Sequence, residues 1–290
     1  MRPSAIFARL EAIVSLDAPP QRLRNLIEHE LAHHFRLPAL RAAEMAERLE
    51  GAVAQLIERK QLQSEQLGTL ATMALVGSAA DTVVGSCHAR SSDAPEIARA
   101  KARRINTSPL LARIQALSPT EFEVFGAKVL GELGAQKVRV TRQSNDQGID
   151  FYGVLNVGEL LKVPAPFFRL SHDLEIRFAG QAKHYPKHAV GTDVVRELIG
   201  AISLARFKTY STETDLFEDF ELKPLNPLVA MLFTTGSLSS GAVELAGKAG
   251  IIARSGLQLA AFLADCGVGM RSDANGVTFD AEAFSAWLAL

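Results

Sequence analysis

Residues 145–154, NDQGIDFYGV, and 178–185, FAGQAKHY, decide the reading of this chain. Ile149, Phe151 and Val154 in the first, and Leu174, Ile176 and Phe178 leading into the second, give the apolar pattern of strands. Successive side chains leave a strand by opposite faces, so Gln181 and Lys183 share one face while Ala182 points to the other. Gly148 permits a bend or bulge where the chain enters the first strand. Two neighbouring strands thus offer a carboxylate from Asp150, an amide oxygen from Gln181 and an ammonium from Lys183, with the Ala182 carbonyl available beside them. Hard oxygens suit a divalent cation such as Mg²⁺, which neutralises charge on a phosphodiester and makes a water nucleophilic. Lys183 can orient or deprotonate that water, or stabilise the developing negative charge.

Each residue also has a structural reading. Asp150 alone could cap a turn after Gly148, Gln181 could be a packing amide, and Lys183 beside His184 and Lys187 could be a solvated strand end. Their joint occurrence among otherwise apolar strands is what packing alone does not require.

The order of motifs carries a resemblance. A helix with Glu121-Phe122-Glu123 precedes TRQSNDQGID (141–150), the QAK strand, AVGTDVVRELIGA (189–201), MLFTTGSLSSGAVELA (231–246) and GIIARSGLQLAAFL (250–263). This series resembles the Mrr-type endonuclease domain of the PD-(D/E)xK superfamily over about residues 117–268. The resemblance implies a restriction-endonuclease-like α/β fold, a mixed sheet flanked by helices, here behind a separate all-α domain. Carried over by position, it makes Asp150 the central metal ligand, Gln181 the second and Lys183 the catalytic lysine. For the helix acid it favours Glu123 as a catalytic or second-metal ligand, because Ser118-Pro119-Thr120-Glu121 reads as a capping box that occupies Glu121. On that helix the apolar stripe is Phe122, Phe125, Val129, Leu130 and Leu133, with Glu123 on its flank. Asp146 is a weaker candidate, and Arg142, His184, Lys187 and Arg196 are candidate DNA contacts.

Many superfamily members have Glu where this chain has Gln181, which removes one negative charge and lowers the expected metal affinity. The apolar, Pro-containing stretch from Val157 to Ser171 departs from the family pattern as an inserted loop. The resemblance further implies Mg²⁺-dependent hydrolysis of double-stranded DNA, with Mn²⁺ as a substitute ion, leaving 5′-phosphate and 3′-hydroxyl ends. It also implies a role in restricting foreign or modified DNA. Double-strand cleavage by one site per chain calls for a homodimer or DNA-induced pairing.

Composition bounds this reading. The chain has 290 residues, 48% of them hydrophobic, enough for two cores. Its net charge of −1 gives no global basic field for nucleic acid, so positive charge would have to concentrate at one cleft. Cys87 and Cys266 lie far apart without metal-ligand spacing, which fits a reduced cytoplasmic setting, and no signal-peptide pattern opens the sequence. The chain is expected to divide near residue 105. Residues 1–105 read as a helical domain for targeting or regulation, with helices over Gln21–Phe35 and Leu40–Lys60 and a possible regulatory protein partner. Residues 106–290 read as the nuclease domain. Ser91–Pro109, with its basic run at Arg99, Lys101, Arg103 and Arg104, reads as a linker containing a short helix.

Two amino-terminal features compete for function. His29-Glu30-Leu31-Ala32-His33 satisfies the HExxH pattern of zinc metalloproteases. However, Leu23, Leu26, Ile27, Leu31 and Phe35 form the apolar face of that helix, which leaves His29 and His33 on the solvated one. Leu67–Cys87 approaches a membrane span in length, but Asp81 and its small residues point to a buried helix instead. A catalytically inactive nucleic-acid-binding or protein-interaction module is the main alternative to the nuclease, and the zinc protease a distant one.

Overall fold

The computed structural model describes residues 1–77, 80–141, 148–160, 174–207, 222, 225–274 and 276–289. In chain order the elements are α1 (Pro3–Ile13), β1 (Gln21–Arg22), α2 (Leu23–His33), α3 (Ala39–Leu67), β2 (Met73–Val76), β3 (Thr82–Gly85), α4 (Pro95–Arg104), α5 (Thr107–Gln115) and α6 (Pro119–Glu132). Then come β4 (Gln136–Val140), β5 (Phe151–Asn156), α7 (Val157–Leu160), β6 (Glu175–Lys183), β7 (Ala189–Val190), α8 (Thr192–Phe207), β8 (Leu228–Thr234), β9 (Ser237–Leu238) and α9 (Ser240–Ala249). The chain closes with β10 (Ile252–Arg254), α10 (Gly256–Cys266), β11 (Met270–Asp273), β12 (Gly276–Phe279) and α11 (Ala281–Ala289).

The contacts divide the chain into two units, Met1–Ser108 with Met270–Phe279, and Pro109–Gly269 with Asp280–Leu290. The first is built on α1, α2 and α3. Leu23, Ile27 and Leu31 of α2 are fully buried with Ile6, Leu10, Val53 and Ile57, while Leu26 and Phe35 pack at the margin. The expected apolar face of α2 is therefore the face that folds inward.

Leu67–Cys87 is a correction. It holds the end of α3 and the antiparallel pair β2–β3, with β1 on the other edge of β3, so it is not a buried helix and this unit is not purely helical. Thr82, Val83 and Val84 are β-branched and favour extended backbone. Asp81 pairs with Arg22, and its backbone carbonyl accepts from Leu23 N–H at 2.8 Å. Among the described residues no helix is long and apolar enough to cross a membrane.

A second correction concerns the hairpin β11–β12, which groups with this unit although residues 106–290 were expected to form one domain. Asn106 ties it there. Its Nδ2 donates to the Val277 carbonyl at 2.9 Å, and its Oδ1 accepts from Phe279 N–H at 3.0 Å.

Glu30 is buried in this unit. Its Oε2 accepts from Arg9 Nε at 2.7 Å, and His29 Nδ1 lies 3.2 Å from Oε1. Burial pushes the Glu30 carboxyl up, but the bonds from Arg9 and His29 outweigh it and hold the group below its ordinary 4.5. A lowered folded-state pKa adds stability above the ordinary value, and that stability is lost as pH falls through the lowered one. Arg9→Ala is thus expected to cost about 1–3 kcal/mol near neutral pH, the range for stripping a partner from a buried acceptor. The difference from wild type should shrink in acid, as denaturant titrations at pH 7 and below pH 4.5 would read.

The second unit is a five-stranded mixed sheet in the order β10-β8-β6-β5-β4, the expected fold class. The β4–β5 and β5–β6 pairs are antiparallel, and β6, β8 and β10 run parallel to one another. The α6 stripe of Phe122, Phe125, Val129 and Leu130 is buried. The same helical spacing serves α8, whose Val194, Val195, Leu198, Ala201 and Ala205 are the buried residues. Val157–Ser171, the expected inserted loop, begins with the helical turn of α7, and its remainder lies outside the described residues.

Candidate active site

β6 is the central strand, and its last residues form the site. β5 pairs with it up to Phe151 opposite Gly180, and Asp150 N–H donates to the Gly180 carbonyl at 2.8 Å. Asp150 and Phe151 both face Gly180, the two-against-one arrangement of a bulge. Gly148, at φ +79°, makes the turn into it. A Cβ on Gly148 would stand 3.1 Å from Ala201 Cβ of α8 and 3.6 Å from Gln181 Nε2, so a left-handed glycine lets this turn lie close to the site.

The bulge carries the Asp150 side chain past the end of the ladder, where Oδ2 accepts the Ala182 N–H at 2.7 Å. The N–H and C=O of one strand residue point to the same neighbour, so the Ala182 carbonyl is directed to this edge too. On the adjacent face Gln181 Nε2 donates to Glu197 Oε1 at 3.1 Å, and Lys183 Nζ lies 3.5 Å from the same oxygen. Gln181 and Lys183 therefore do leave β6 by one face, and Glu197 of α8 joins them.

Gln181 is fully buried, and its Oε1 has no hydrogen-bond partner among the described residues. An unsatisfied buried acceptor costs roughly 1–3 kcal/mol, so this oxygen calls for a cation or a donor. As a hard oxygen on the residue before Ala182, whose N–H the Asp150 carboxylate accepts, it is of the kind that suits a divalent ion. Among the described residues no three His, Cys, Asp or Glu side chains cluster to hold a metal. A cation here would therefore draw on an amide and a backbone carbonyl as well as on carboxylate.

Glu123 is half-buried on α6, next to Phe122, whose ring lies 6.3 Å from that of His184. Glu121 is in the capping box as read: its side chain accepts from Ser118 N–H at 2.7 Å, and Ser118 Oγ accepts from Glu121 N–H at 3.3 Å. The bond from the Ser118 backbone, followed by that of its hydroxyl, holds the Glu121 carboxyl below its ordinary range. His184 Nε2 lies 3.3 Å from the Gln115 carbonyl, an anchor to α5. Lys187 and Arg196 are exposed, and Arg196 Nη1 donates to Thr192 Oγ1 at 3.1 Å. Arg142 and Asp146 lie outside the described residues.

The HExxH motif does not assemble a protease site. His29 is exposed, while Glu30 is 4% exposed and engaged by Arg9, so the motif's own carboxylate is committed to that pair.

Glu197 was not singled out from the sequence, yet a signal was there. It falls three residues after Val194 and four before Ala201, on the flank of the stripe that packs on the sheet. Arg196, in contrast, faces away.

Residues 114–212 match the Mrr_cat family, described as restriction endonuclease. Among solved structures, the MspJI restriction endonuclease in complex with a 27-mer oligonucleotide is 20% identical with a TM-score of 0.35, the match covering 62% of this chain and 36% of that one. The DNA modification-dependent restriction endonuclease AspBHI is 21% identical with a TM-score of 0.40, covering 70% and 43%. This chain thus spans less than half the length of either. No curated protein matches it. The segment that carries Asp150, Gln181, Lys183 and Glu197 is therefore the stretch in which this chain matches the Mrr-type restriction endonuclease family.

Proposed function

We propose that the second unit is a metal-dependent DNA endonuclease of restriction type. The observation that carries this reading is the buried Oε1 of Gln181, without a hydrogen-bond partner among the described residues, on the strand end that also presents Ala182 to Asp150 and Lys183 to Glu197. Asp150, Gln181 and the Ala182 carbonyl would hold Mg²⁺, or Mn²⁺ in its place, with Glu123 as a further ligand. When bound, the ion supplies charge neutralisation on the scissile phosphate and a more acidic water. Gln181 and Asp150 orient that centre, because the Ala182 N–H fixes one carboxylate oxygen and Glu197 fixes the amide. Lys183 places a cationic donor on the same face, where it orients the attacking water and balances charge on the non-bridging oxygens.

Arg142, His184 and Lys187 would take neighbouring phosphates, whereas Arg196 faces away from the sheet. Such contacts position the duplex without reading its sequence. Cutting both strands would use two chains, as a homodimer or paired on DNA, and the first unit would serve targeting or control. Restriction of foreign or modified DNA in the cytoplasm is the biological setting this reading implies.

The test is a cleavage assay on unmodified and methylated plasmid with Mg²⁺ or Mn²⁺ at low salt, with wild type beside Lys183→Ala. Nicking or linearisation by wild type that is absent from the variant is the expected result. Equal cutting by both would mean the active site lies elsewhere. DNA retention without cutting under either ion would favour a binding-only module.

A further inference from the structure

We propose that Glu197 is a positioning residue of this site, fixing the Gln181 amide and the Lys183 ammonium and supplying the negative charge that an amide at position 181 lacks. The proposal rests on the nuclease reading above and adds a residue to it.

The argument begins with what a carboxylate can do. Ionised, it only accepts hydrogen bonds, so the amide group facing Glu197 at 3.1 Å has to be the Nε2 donor. That chemistry fixes which way the Gln181 amide is turned: with Nε2 committed to α8, Oε1 points away from Glu197, and it is this oxygen that is buried and has no hydrogen-bond partner among the described residues. A glutamate at position 181 would need no such guide, since both of its oxygens are acceptors. A glutamine does need one, because turned the other way it would present N–H donors to a cation. Glu197 removes that alternative.

The Glu197 Oε1 that accepts from Gln181 also lies 3.5 Å from Lys183 Nζ, so one carboxylate oxygen serves two residues that alternate along β6. This draws the ammonium to the face of the amide and restricts a long, otherwise mobile side chain. The pair is partly open, the Lys183 side chain at 21% and that of Glu197 at 54% exposure. An exposed ion pair by itself contributes little to stability, so the effect should appear in the site rather than in the fold. The elements on either side are held by pairing and packing. Gln181 sits in the parallel pairing of β6 with β8 opposite Leu232, and α8 is anchored through buried Val194, Leu198 and Ala201 on either side of Glu197.

Glu197→Gln keeps size and removes charge. Its amide can donate as well as accept, so it no longer dictates the orientation of Gln181. Groups that orient a metal ligand typically cost 10–100-fold in metal affinity or activity when replaced. The experiment measures Mn²⁺ binding to the full chain without DNA, plasmid cleavage against Mn²⁺ concentration, and thermal melting. Wild type, Glu197→Gln and Glu197→Asp are compared, with Glu244→Gln as the control from an exposed helical ion pair.

The expected result is an unchanged melting curve and a weakening of Mn²⁺ binding by about 10–100-fold in Glu197→Gln. The Mn²⁺ concentration for half-maximal cleavage should rise in parallel, with partial recovery in Glu197→Asp and no effect in the control. If wild type cuts and Glu197→Gln matches it in binding and metal midpoint, the positioning role is overturned and the nuclease reading stands. If wild type does not cut, the nuclease reading fails, and the binding isotherms still decide: equal isotherms for wild type and Glu197→Gln overturn the proposal.

Discussion

Asp150→Ala and Lys183→Ala are expected to lower plasmid cleavage by roughly 10²–10⁴-fold each, the range for losing a group that acts on the transition state. The two losses should differ in kind. Asp150 carries the carboxylate of the proposed ligand set and also accepts the Ala182 N–H at 2.7 Å. Its removal should weaken Mn²⁺ binding, and it leaves a backbone donor at the strand end without its acceptor. Lys183 contributes no ligand, so Lys183→Ala should bind Mn²⁺ as wild type does and fail in the chemical step. Cleavage titrated against metal separates them. Excess Mn²⁺ should restore part of the activity to Asp150→Asn, which keeps an oxygen donor, and none to Lys183→Ala. Neither change should unfold the chain, because Lys183 reaches the surface and Asp150 lies at the end of the β5–β6 ladder rather than within it. Wild-type cutting by purified Lys183→Ala would sink the assignment of this lysine.

The parts of this site that were legible in the sequence are those fixed by strand periodicity. An alternation that puts Gln181 and Lys183 on one face needs only the two-residue repeat of β structure, and the shared contact with Glu197 follows that repeat. The capping box at Ser118 is equally local and equally readable. Glu197 was harder because its role is set by where α8 docks on the sheet, a tertiary fact. The helical wheel narrows the candidates to the flank of the stripe but does not choose between a solvated glutamate and one that meets β6. Leu67–Cys87 misled for a different reason. A run of small and apolar residues has nearly the same hydropathy as helix or hairpin, and length favoured helix. What separates them is the β-branched trio Thr82-Val83-Val84, and the partner strand β1 that lies far back in sequence. In the hairpin β11–β12 the first strand is mostly exposed, and the alternation of Val277 and Phe279 in the second spans only four residues, too short a run to mark a strand by itself.

Phe151→Ala is expected to destabilise the second unit by about 3–5 kcal/mol, the range for deleting a buried aromatic side chain. The residue is fully buried and its ring stacks on Phe233 of β8 with centroids 5.2 Å apart. Two glycines make the room: a Cβ added to Gly126 of α6 or to Gly180 of β6 would run into the Phe151 ring. This aromatic is thus clamped between helix and sheet one residue after Asp150, and the clamp holds the bulge that aims the carboxylate. The converse substitution tests the same packing from the other side. Gly180→Ala should cost about 1–3 kcal/mol by overpacking, and it should do so by pushing the ring, and β5 with it, away from β6. Denaturant melts of both variants give the stability terms, and cleavage measured where each is fully folded gives the rest. Phe151→Leu, which refills much of the space, should recover most of the stability of Phe151→Ala. If Gly180→Ala melts like wild type, the ring is free to move and the clamp is not what positions Asp150. If it is destabilised and also loses cleavage while folded, packing on the far face of β6 sets the geometry of the catalytic edge, because the displaced strand carries Asp150 away from the Ala182 N–H that orients it.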